Sequence, residues 1–414
     1  MKSIIHVLGG GTFNHVRSHL ALSAPAFGNT ARQIAKLCEE AFDKNKYEVR
    51  LHLTKMANSS SNLVTNDDVA ELVRDICNDK ATKIIFMNVA LTDFVGTVDD
   101  VKGNKYAPRL KTSNGAESLL LSPAPKIISD IRAGVNARKD IFLVGFKTTC
   151  NATSEESYKQ ALNMLKASSV NLVLANDVLT RTNMIVAPEE AVYHESKDRE
   201  HVLRNLVDMV MHRSELTFTK SVVVDDVMTP WQSPYVPSSL REVVDYCIER
   251  GAYKTFRGVT AGHFAVKVKD GEFLTSPRKR NFNDLANIGL VKIDSVDDKQ
   301  VIAHGAKPSV GGQSQRIIFS EHDDLDCIVH FHSTRKPDSL VPVVSQREFE
   351  CGSHECGANT SRGIREVEPG IFAVYLDNHG PNIVYNRRVP SFRVIDFIER
   401  NFNLSEKSGG YVVS

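Results

Sequence analysis

The sequence lacks an excess of charge of either sign. Its 414 residues include 51 Lys and Arg against 50 Asp and Glu, so the formal net charge is +1. A charge this close to zero provides no general field that would hold nucleic acid or an anionic membrane. We therefore expect neither of these as a partner.

Long apolar runs and a regular cysteine pattern are also missing. No apolar stretch approaches the roughly 20 residues that a membrane-spanning helix needs. The opening run MKSIIHVLGGG leads straight into glycines, which indicates a first β-strand and not a signal peptide. The seven cysteines are odd in number and scattered, as is typical of reduced thiols, so we expect a cytoplasmic protein.

The first half of the chain alternates short β-branched runs with amphipathic helical patterns. Residues 83–89, 141–146 and 171–174 are near-continuous apolar runs, which are typical of parallel strands that helices cover on both faces. This alternation predicts an α/β domain with a doubly wound, Rossmann-like parallel sheet over residues 1–215.

A change in composition marks the second half. The segment 227–239 (VMTPWQSPYVPSS) contains three prolines and the single Trp, which indicates a Pro-rich linker over residues 216–238. We expect Trp231 to pack the two domains together. One helical pattern and many short strands with Gly, Asp and Asn turns follow. They predict a second α/β domain over residues 239–414 with an antiparallel-rich central sheet.

Glycines and polar residues in the first half suggest a phosphate site. Gly9–Thr12 (GGGT) follows the first strand, and such glycines let a backbone approach a phosphate, although a tight connection is the alternative reading. Lys111 could neutralise developing pyrophosphate charge or be a solvated loop lysine. Asp93 and the pair Asn176-Asp177 could hold a base, a ribose or Mg²⁺, or Asn176-Asp177 could simply cap a turn.

Several short motifs follow one another in the first half: GGGT, VR and Gly28, VALTDF (89–94), PRLK (108–111), VGFKT (144–148) and LANDV (174–178). Together they resemble phosphopantothenoylcysteine synthetase, which joins 4′-phosphopantothenate to cysteine after activation by a nucleoside triphosphate. The resemblance implies CTP or ATP with Mg²⁺ as ligands. The residues implied in nucleotide or phosphate binding are Gly9, Gly10, Gly11, Thr12, Asp93, Lys111, Phe146, Ala175, Asn176 and Asp177, with Lys111 also catalytic.

The first half departs from that family at two places. Where the family carries an Asn-x-Ser-Ser-Gly run, this chain has Ala21 in place of the Asn and Pro25 in place of the glycine. Thr148 or Thr149 stands where an acidic residue is usual. An alanine has no amide to polarise a carbonyl, so we expect binding of a nucleotide or phosphorylated ligand and not authentic ligation.

The second half contains a pattern that suits a metal. His330-Phe331-His332 ends an apolar run, and residues i and i+2 of a strand point to the same side. His379 follows a second apolar strand. Three histidines with one open position are typical of a catalytic Zn²⁺ site, although strand histidines satisfied by hydrogen bonds are the alternative.

Ser238 to about Arg388 resembles the class II aldolase/adducin family, through FLTSP (273–277), GAKPS (305–309), CIVHFHS (327–333) and DNHG (377–380). The resemblance implies that His330, His332 and His379 bind Zn²⁺ or another divalent metal. It implies a sugar-phosphate site at Thr260, Gly262, Thr275 and Ser276. It also implies a homo-oligomer, with a tetramer favoured.

The acid/base residue of the aldolases is missing from its usual place. The family has a Glu after the Pro-Ser pair, whereas this chain has Gly311. The run REFECGSHEC (347–356) resembles the methylthioribulose-phosphate dehydratase branch, whose acid/base Glu falls on Glu355. A surface position for Glu355 is the alternative.

These features predict an enzyme, a lyase of the aldolase or dehydratase type that acts on a small phosphorylated sugar or related carbonyl compound. A carboxylate near Zn²⁺ could take an α-proton, after which a β-hydroxyl leaves. The overall reaction would be loss of water or cleavage of a carbon–carbon bond. Two alternatives stand beside it: a catalytically degenerate, adducin-like binding or scaffold protein, and a coenzyme A ligase with an accessory aldolase-like domain.

Overall fold

The computed structural model describes residues 2–99, 101–133, 137–295, 297 and 299–413. The chain divides into two compact units. The first runs to Val186 and resumes at His194–Ser214, and the second consists of Ala187–Tyr193 and the chain from Glu215 onward.

The first unit is built around parallel strands. Its strands are β1 (Ser3–Gly11), β2 (Phe13–Arg17), β3 (Leu20–Ser23), β4 (Tyr47–Leu53), β5 (Thr82–Ala90), β6 (Phe94–Thr97), β7 (Leu120–Pro123), β8 (Phe142–Thr149), β9 (Leu172–Asp177), β10 (Asn183–Val186) and β11 (Val192–Ser196). Its helices are α1 (Asn29–Ala41), α2 (Asn66–Asn78), α3 (Ile127–Ala133), α4 (Ser154–Ser168) and α5 (Arg199–Arg213).

The described residues of this half form a seven-stranded sheet in the order β11-β10-β9-β8-β5-β1-β4. Strands β4, β1, β5, β8 and β9 run parallel, and β10 pairs antiparallel to β9. The central strands are buried almost throughout, as the apolar runs predict for a sheet that helices cover. The Rossmann-like doubly wound fold is confirmed.

The second unit contains β12 (Lys220–Val224), β13 (Thr255–Phe256), β14 (Val259–Thr260), β15 (His263–Lys269), β16 (Glu272–Thr275), β17 (Val291–Ser295), β18 (Gln300–His304), β19 (Cys327–His330), β20 (Ser333–Arg335), β21 (Val343–Val344), β22 (Arg365–Glu368), β23 (Ile371–Leu376), β24 (Gly380–Tyr385) and β25 (Phe402–Lys407). Its helices are α6 (Ser238–Glu249), α7 (Leu285–Ile288), α8 (Gly312–Glu321), α9 (His354–Gly363) and α10 (Ser391–Asn401).

The main sheet of this unit has the order β12-β18-β17-β16-β15-β19-β24-β23-β21 in the described residues, with β22 added beside β23. The pairs β12–β18 and β21–β23 are parallel, and the other pairs are antiparallel. The predicted antiparallel-rich sheet is therefore confirmed.

Both faces of the main sheet are buried, because apolar residues alternate along its strands. Phe264, Val266 and Val329 lie in one core cluster, whereas Ala265 and Ile328 lie in the other. Trp231 is part of the first cluster, where its ring meets Phe264 edge to face at 5.4 Å. The single Trp, expected to join the two domains, thus lies in the core of the second unit.

The pairing register brings the ends of six strands to one edge of the main sheet. His263 at the start of β15 lies opposite His330 at the end of β19, and His330 lies opposite Asn382 near the start of β24. Thr275 ends β16 beside the start of β17, and His304 ends β18 opposite Lys292 of β17. We call this the histidine edge.

None of the helices formed by the described residues has the length and apolar character that a bilayer crossing needs.

A pair of histidines joins two parallel strands of the first unit. His6 of β1 and His52 of β4 stack with ring centroids 5.2 Å apart, and His6 Nδ1 lies 2.9 Å from His52 Nε2. The hydroxyl of Thr82 lies 3.2 Å from His6 Nε2. Burial lowers the pKa of His6 to about 4, and the neighbouring His52 and Arg50 act in the same direction. His6 is therefore neutral at pH 7.

We expect acid to weaken the sheet through His6. Between pH 6.5 and 4, His6 is protonated in the unfolded chain but stays neutral in the folded chain. The free energy of unfolding therefore falls as the pH falls, by at most about 3 kcal/mol. Hydrogen-exchange protection of β1 and β4 peptides, corrected for intrinsic rates, should decline over this range. His6→Gln should flatten the decline, and the exposed His19→Gln should not. An equal decline in wild type and His6→Gln would contradict the assignment.

Candidate functional site

Three histidines form a buried cluster at the histidine edge. His330 ends β19, His332 follows two residues later, and His379 immediately precedes β24. One nitrogen from each lies within 4.8 Å of the others. Their ring centroids are 4.6 to 5.2 Å apart, and each side chain is at most 5 % exposed. The structure therefore brings together the three predicted metal ligands.

A backbone carbonyl orients one ring of the cluster. His330 Nδ1 lies 2.7 Å from the carbonyl oxygen of Pro381. Because a carbonyl only accepts, Nδ1 carries the proton and Nε2 keeps its lone pair. Nε2 is buried and has no hydrogen-bond partner among the described residues. Burial lowers the pKa of His330 to about 4, so the ring is neutral, as a metal ligand must be.

The donor set fits a divalent metal on these grounds. Three buried imidazoles with convergent nitrogens match the ligands that Zn²⁺ takes in catalytic sites. The unpartnered Nε2 of His330 is a buried polar atom that bound metal would satisfy.

Two glycines allow the chain to close around the cluster. Gly262 has φ +114°, and a Cβ there would lie 2.6 Å from the carbonyl oxygen of His330. Gly380 has φ +142°, and a Cβ there would lie 2.2 Å from the carbonyl oxygen of Phe331. Any other residue at either position would push its strand away from the His-x-His backbone.

A fourth histidine occupies the place next to Gly311. His263 is 5 % exposed, and its ring centroid lies 4.7 Å from that of His330. A Cβ on Gly311 would lie 2.0 Å from Cδ2 and 2.1 Å from Nε2 of His263. His263 Nδ1 lies 2.8 Å from Gln315 Nε2 on α8. Burial, reinforced by His330, holds the pKa of His263 well below its usual range.

Glu355 lies in the first turn of α9 and is half-buried. Its carboxylate accepts hydrogen bonds from the backbone N–H of Thr217, at 3.0 and 3.2 Å, and from its hydroxyl, at 2.9 Å. The neighbouring His354 Nδ1 lies 3.1 Å from Gln313 Nε2 on α8. Among the described residues, Glu355 is not a member of the metal-binding group.

The hydroxyls predicted to bind a sugar phosphate are buried and engaged within the chain. Thr260 Oγ1 donates to the carbonyl oxygen of Arg280 at 3.0 Å. Thr275 Oγ1 donates to the carbonyl oxygen of Phe264 at 3.4 Å, and Ser276 Oγ accepts from the N–H of Phe264 at 3.4 Å. Thr275 and Ser276 have no exposed surface. These hydroxyls hold the loops together in this structure.

The glycines predicted to follow the first strand are the last three residues of β1, and they lie against the chain itself. A Cβ on Gly9 would lie 2.2 Å from Ala31 Cβ in α1, and one on Gly11 would lie 1.9 Å from the carbonyl oxygen of Ala24. Gly10 has φ +98°. The buried Thr12 donates its hydroxyl proton to Asn66 Oδ1 at 2.7 Å. Close packing within the chain is therefore enough to require glycines at these positions, as the tight-connection alternative predicts.

Asp177 ties two loops together at the end of β9. Its carboxylate accepts from the N–H groups of Ala152 and Thr180, at 2.9 and 2.8 Å, and from the hydroxyl of Thr149 at 2.9 Å. Burial raises its pKa, but these hydrogen bonds outweigh burial and hold the pKa well below its usual range. The turn-capping alternative describes Asp177. The adjacent Asn176 is half-buried, and the one hydrogen bond of its side chain to a residue that the structure describes is accepted from the hydroxyl of Thr148, at 3.3 Å.

The remaining predicted residues lie along the carboxyl edge of the parallel sheet or beyond it. Ala175 is buried in β9, and Phe146 is half-buried in β8 beside it. Asp93 follows β5 and forms an exposed ion pair with Lys126. Lys111 is exposed and immediately precedes the 3₁₀ turn Thr112–Asn114.

Residues 241–336 match the model of the Class II Aldolase and Adducin N-terminal domain family. This match covers β15, which begins at His263, and β19, which ends at His330, so the predicted resemblance to the aldolase-type family is confirmed there. No curated protein sequence matches the chain.

Solved structures similar to the chain fall into two groups. The DNA/pantothenate metabolism flavoprotein from Streptococcus pneumoniae is 20 % identical, covers 51 % of this chain and 99 % of its own, and has a TM-score of 0.42. L-fuculose 1-phosphate aldolase is 19 % identical over 41 % of this chain and 85 % of its own, with a TM-score of 0.31. The putative aldolase/epimerase/decarboxylase YgbL from Escherichia coli is 19 % identical, and the match covers 39 % of this chain and 82 % of YgbL, with a TM-score of 0.28. Likeness at this level decides nothing about activity.

Sequence reasoning missed the contact between His263 and Gly311. His263 could be seen only as a core or turn histidine, because 48 residues separate it from Gly311 and nothing local links them. The one available signal was the coincidence of a missing aldolase-type carboxylate with an unassigned histidine at a strand start. Only the tertiary structure brings Gly311, which precedes α8, against the ring of His263.

Gly311→Ala should destabilise the second unit, because its Cβ would overlap a buried ring. Overpacking of this kind costs about 1–3 kcal/mol, measured as a lower unfolding midpoint in urea by the fluorescence of Trp231. Gly312→Ala is the matched control, since a Cβ there meets only Pro308 Cβ at 4.0 Å. His263→Ala should relieve the Gly311→Ala defect in the double variant. Equal stability of the two Ala variants would refute the overlap.

Proposed function

We propose that the second unit is a metal-dependent lyase of the aldolase or dehydratase type, acting on a small phosphorylated sugar or related carbonyl compound. The observation that carries this proposal is the buried cluster of His330, His332 and His379 with an unpartnered Nε2. A purely structural core does not explain the unpartnered Nε2 of His330, because a buried polar atom without a hydrogen-bond partner costs free energy.

In this proposal His330, His332 and His379 hold a divalent metal, with Zn²⁺ expected. Bound there, the metal would polarise a carbonyl oxygen of the substrate. The protein supplies orientation and exclusion of water. The carbonyl oxygen of Pro381 fixes the tautomer of His330, and the β19–β24 pairing sets the distance between the two histidine-bearing strands.

Glu355 is the proposed acid/base residue. Thr217 holds its carboxylate with three hydrogen bonds. The hydroxyl of Ser353 caps α9 by accepting from the N–H of Cys356, which fixes the helix turn that carries Glu355. In a dehydration Glu355 would accept a proton from the carbon next to the substrate carbonyl and return it to the β-hydroxyl, which leaves as water. In an aldol cleavage it would accept the proton of the β-hydroxyl, whose carbon becomes a carbonyl, and return it to the carbon released from the broken carbon–carbon bond. Release from Thr217 would make its oxygens available.

A catalytically degenerate binding or scaffold protein is the second candidate. The observations that favour it are the missing side chain at Gly311, with His263 filling the place, and the internally bonded hydroxyls of Thr260, Thr275 and Ser276. This candidate requires no metal, so the metal content separates the two.

Protein purified without added metal should contain about one Zn²⁺ per chain by elemental analysis. His330→Ala should lose most of it, because one of three protein ligands is removed. His322→Ala is the matched control, since His322 lies outside the cluster, where its Nε2 is 3.1 Å from Ser361 Oγ. Folded wild-type protein that neither carries Zn²⁺ nor takes it up on dialysis would refute the lyase proposal.

We further propose that the first unit binds a nucleotide or a phosphorylated ligand at the carboxyl edge of its parallel sheet, with CTP or ATP and Mg²⁺ as expected ligands. Asn176 and the exposed Lys111 are the proposed contacts, because neither side chain is saturated by the fold. Ligands bind at this edge in open α/β sheets. Ligation itself is not part of the proposal, because Ala21, in β3, provides no amide.

CTP, ATP or phosphopantothenate should raise the melting temperature of the chain, because a ligand that binds only the folded state stabilises it by mass action. Lys111→Gln should weaken the shift by about tenfold in ligand concentration, as expected for one lost charged contact. Lys44→Gln, an exposed lysine elsewhere in the first unit, is the control. The absence of a shift with all three compounds would exclude the site.

A further inference from the structure

Three loops meet above the histidine edge. They are residues 257–262 before β15, 276–281 after β16 and 305–309 after β18. The carbonyl oxygen of Arg280 accepts from the N–H of Thr260 at 3.1 Å, and that of Lys307 accepts from the N–H of Arg278 at 2.9 Å. The loops therefore form one continuous surface, joined by backbone hydrogen bonds.

This surface carries a concentration of positive charge that the whole chain does not have. Five basic side chains, which we call the basic rim, are exposed on it: Arg257, Arg278, Lys279, Arg280 and Lys307. None of them forms an ion pair or a side-chain hydrogen bond with any residue that the structure describes. The rim holds five positive charges in a protein whose net charge is +1.

The acidic groups near the rim do not neutralise it. Asp226 and Asp294 each lie 2.7 Å from a nitrogen of His304, and Asp284 accepts from the side-chain amide of Asn287 at 2.7 Å. Unpaired like charges raise the free energy of a folded surface, so five in contact loops are costly without a counter-ion.

The backbone of the rim is held in place. Arg257 and Gly258 form the two-residue turn between β13 and β14, and both have positive φ, at 51° and 76°. Lys279 also has a positive φ, at 57°. Side chains on a fixed backbone lose less entropy when they bind an anion than side chains on a mobile loop do.

We propose that the basic rim binds the phosphate groups of a small ligand that carries at least two of them, at the mouth of the histidine cluster. The proposal rests on the lyase proposal for the position of the reacting carbonyl and goes beyond it in substrate class. The loop hydroxyls are occupied within the chain, so the anion meets guanidinium and ammonium groups. One phosphate carries at most two charges, whereas a diphosphate matches the five cations better.

Inorganic pyrophosphate titrated into the full chain by calorimetry is the test. The variant with Arg278→Gln, Arg280→Gln and Lys307→Gln should bind it at least about tenfold more weakly, because each lost charge-assisted hydrogen bond weakens binding. The control removes three exposed charges at the opposite edge of the same sheet, with Lys220→Gln, Lys299→Gln and Arg388→Gln. It should bind like wild type, and both variants should keep the wild-type melting temperature.

Four results would overturn the proposal: equal weakening in both triple variants, no binding by wild type, phosphate bound as tightly as pyrophosphate, or single-stranded RNA bound through the rim more tightly than pyrophosphate. All titrations are repeated in a Lys111→Gln background to remove any contribution of the first unit. Zn²⁺ content measured on the same samples separates the two proposals. A metal-free chain that binds pyrophosphate through the rim would refute only the lyase, and a Zn²⁺ chain that does not bind it would refute only the rim.

Discussion

The pairing register of β19 is the constraint on which the second unit depends. His330 lies opposite His263 on one side and opposite Asn382 on the other. This double pairing places His379 beside the His-x-His pair, turns Nδ1 of His330 toward the carbonyl oxygen of Pro381, and sets the ring of His263 beside that of His330. A shift of one residue would send His330 and His332 to the opposite face of the sheet.

Local patterns were sufficient to predict the architecture. Apolar runs without alternation predicted the parallel sheet, and the same-side rule for residues i and i+2 placed His330 and His332 together. The helix Asn66–Asn78 also begins at a local signal, because Thr65 caps it in a capping box with Asp68. These features depend on residues a few positions apart, where propensity and periodicity act directly.

Features that depend on distant residues could not be predicted. Glu355 was expected near the metal by resemblance, and its carboxylate is hydrogen-bonded to Thr217, 138 residues away. Trp231 was expected between domains, and its ring packs on Phe264. The hydrogen-bond partner of a hydroxyl cannot be predicted from sequence either, because the hydroxyl of Thr260 donates to the carbonyl oxygen of a residue 20 positions away. Tertiary packing decides each of these, and no window of sequence contains both partners.

The contact between Gly311 and His263 has a consequence for the design of proton transfer at this place. A side chain at position 311 competes with the imidazole at position 263 for the same space, because its Cβ would lie 2.0 Å from Cδ2 of that ring. A carboxylate introduced at position 311 alone would have to displace a buried ring. Exchanging both residues together provides the space, so positions 263 and 311 form one unit for redesign.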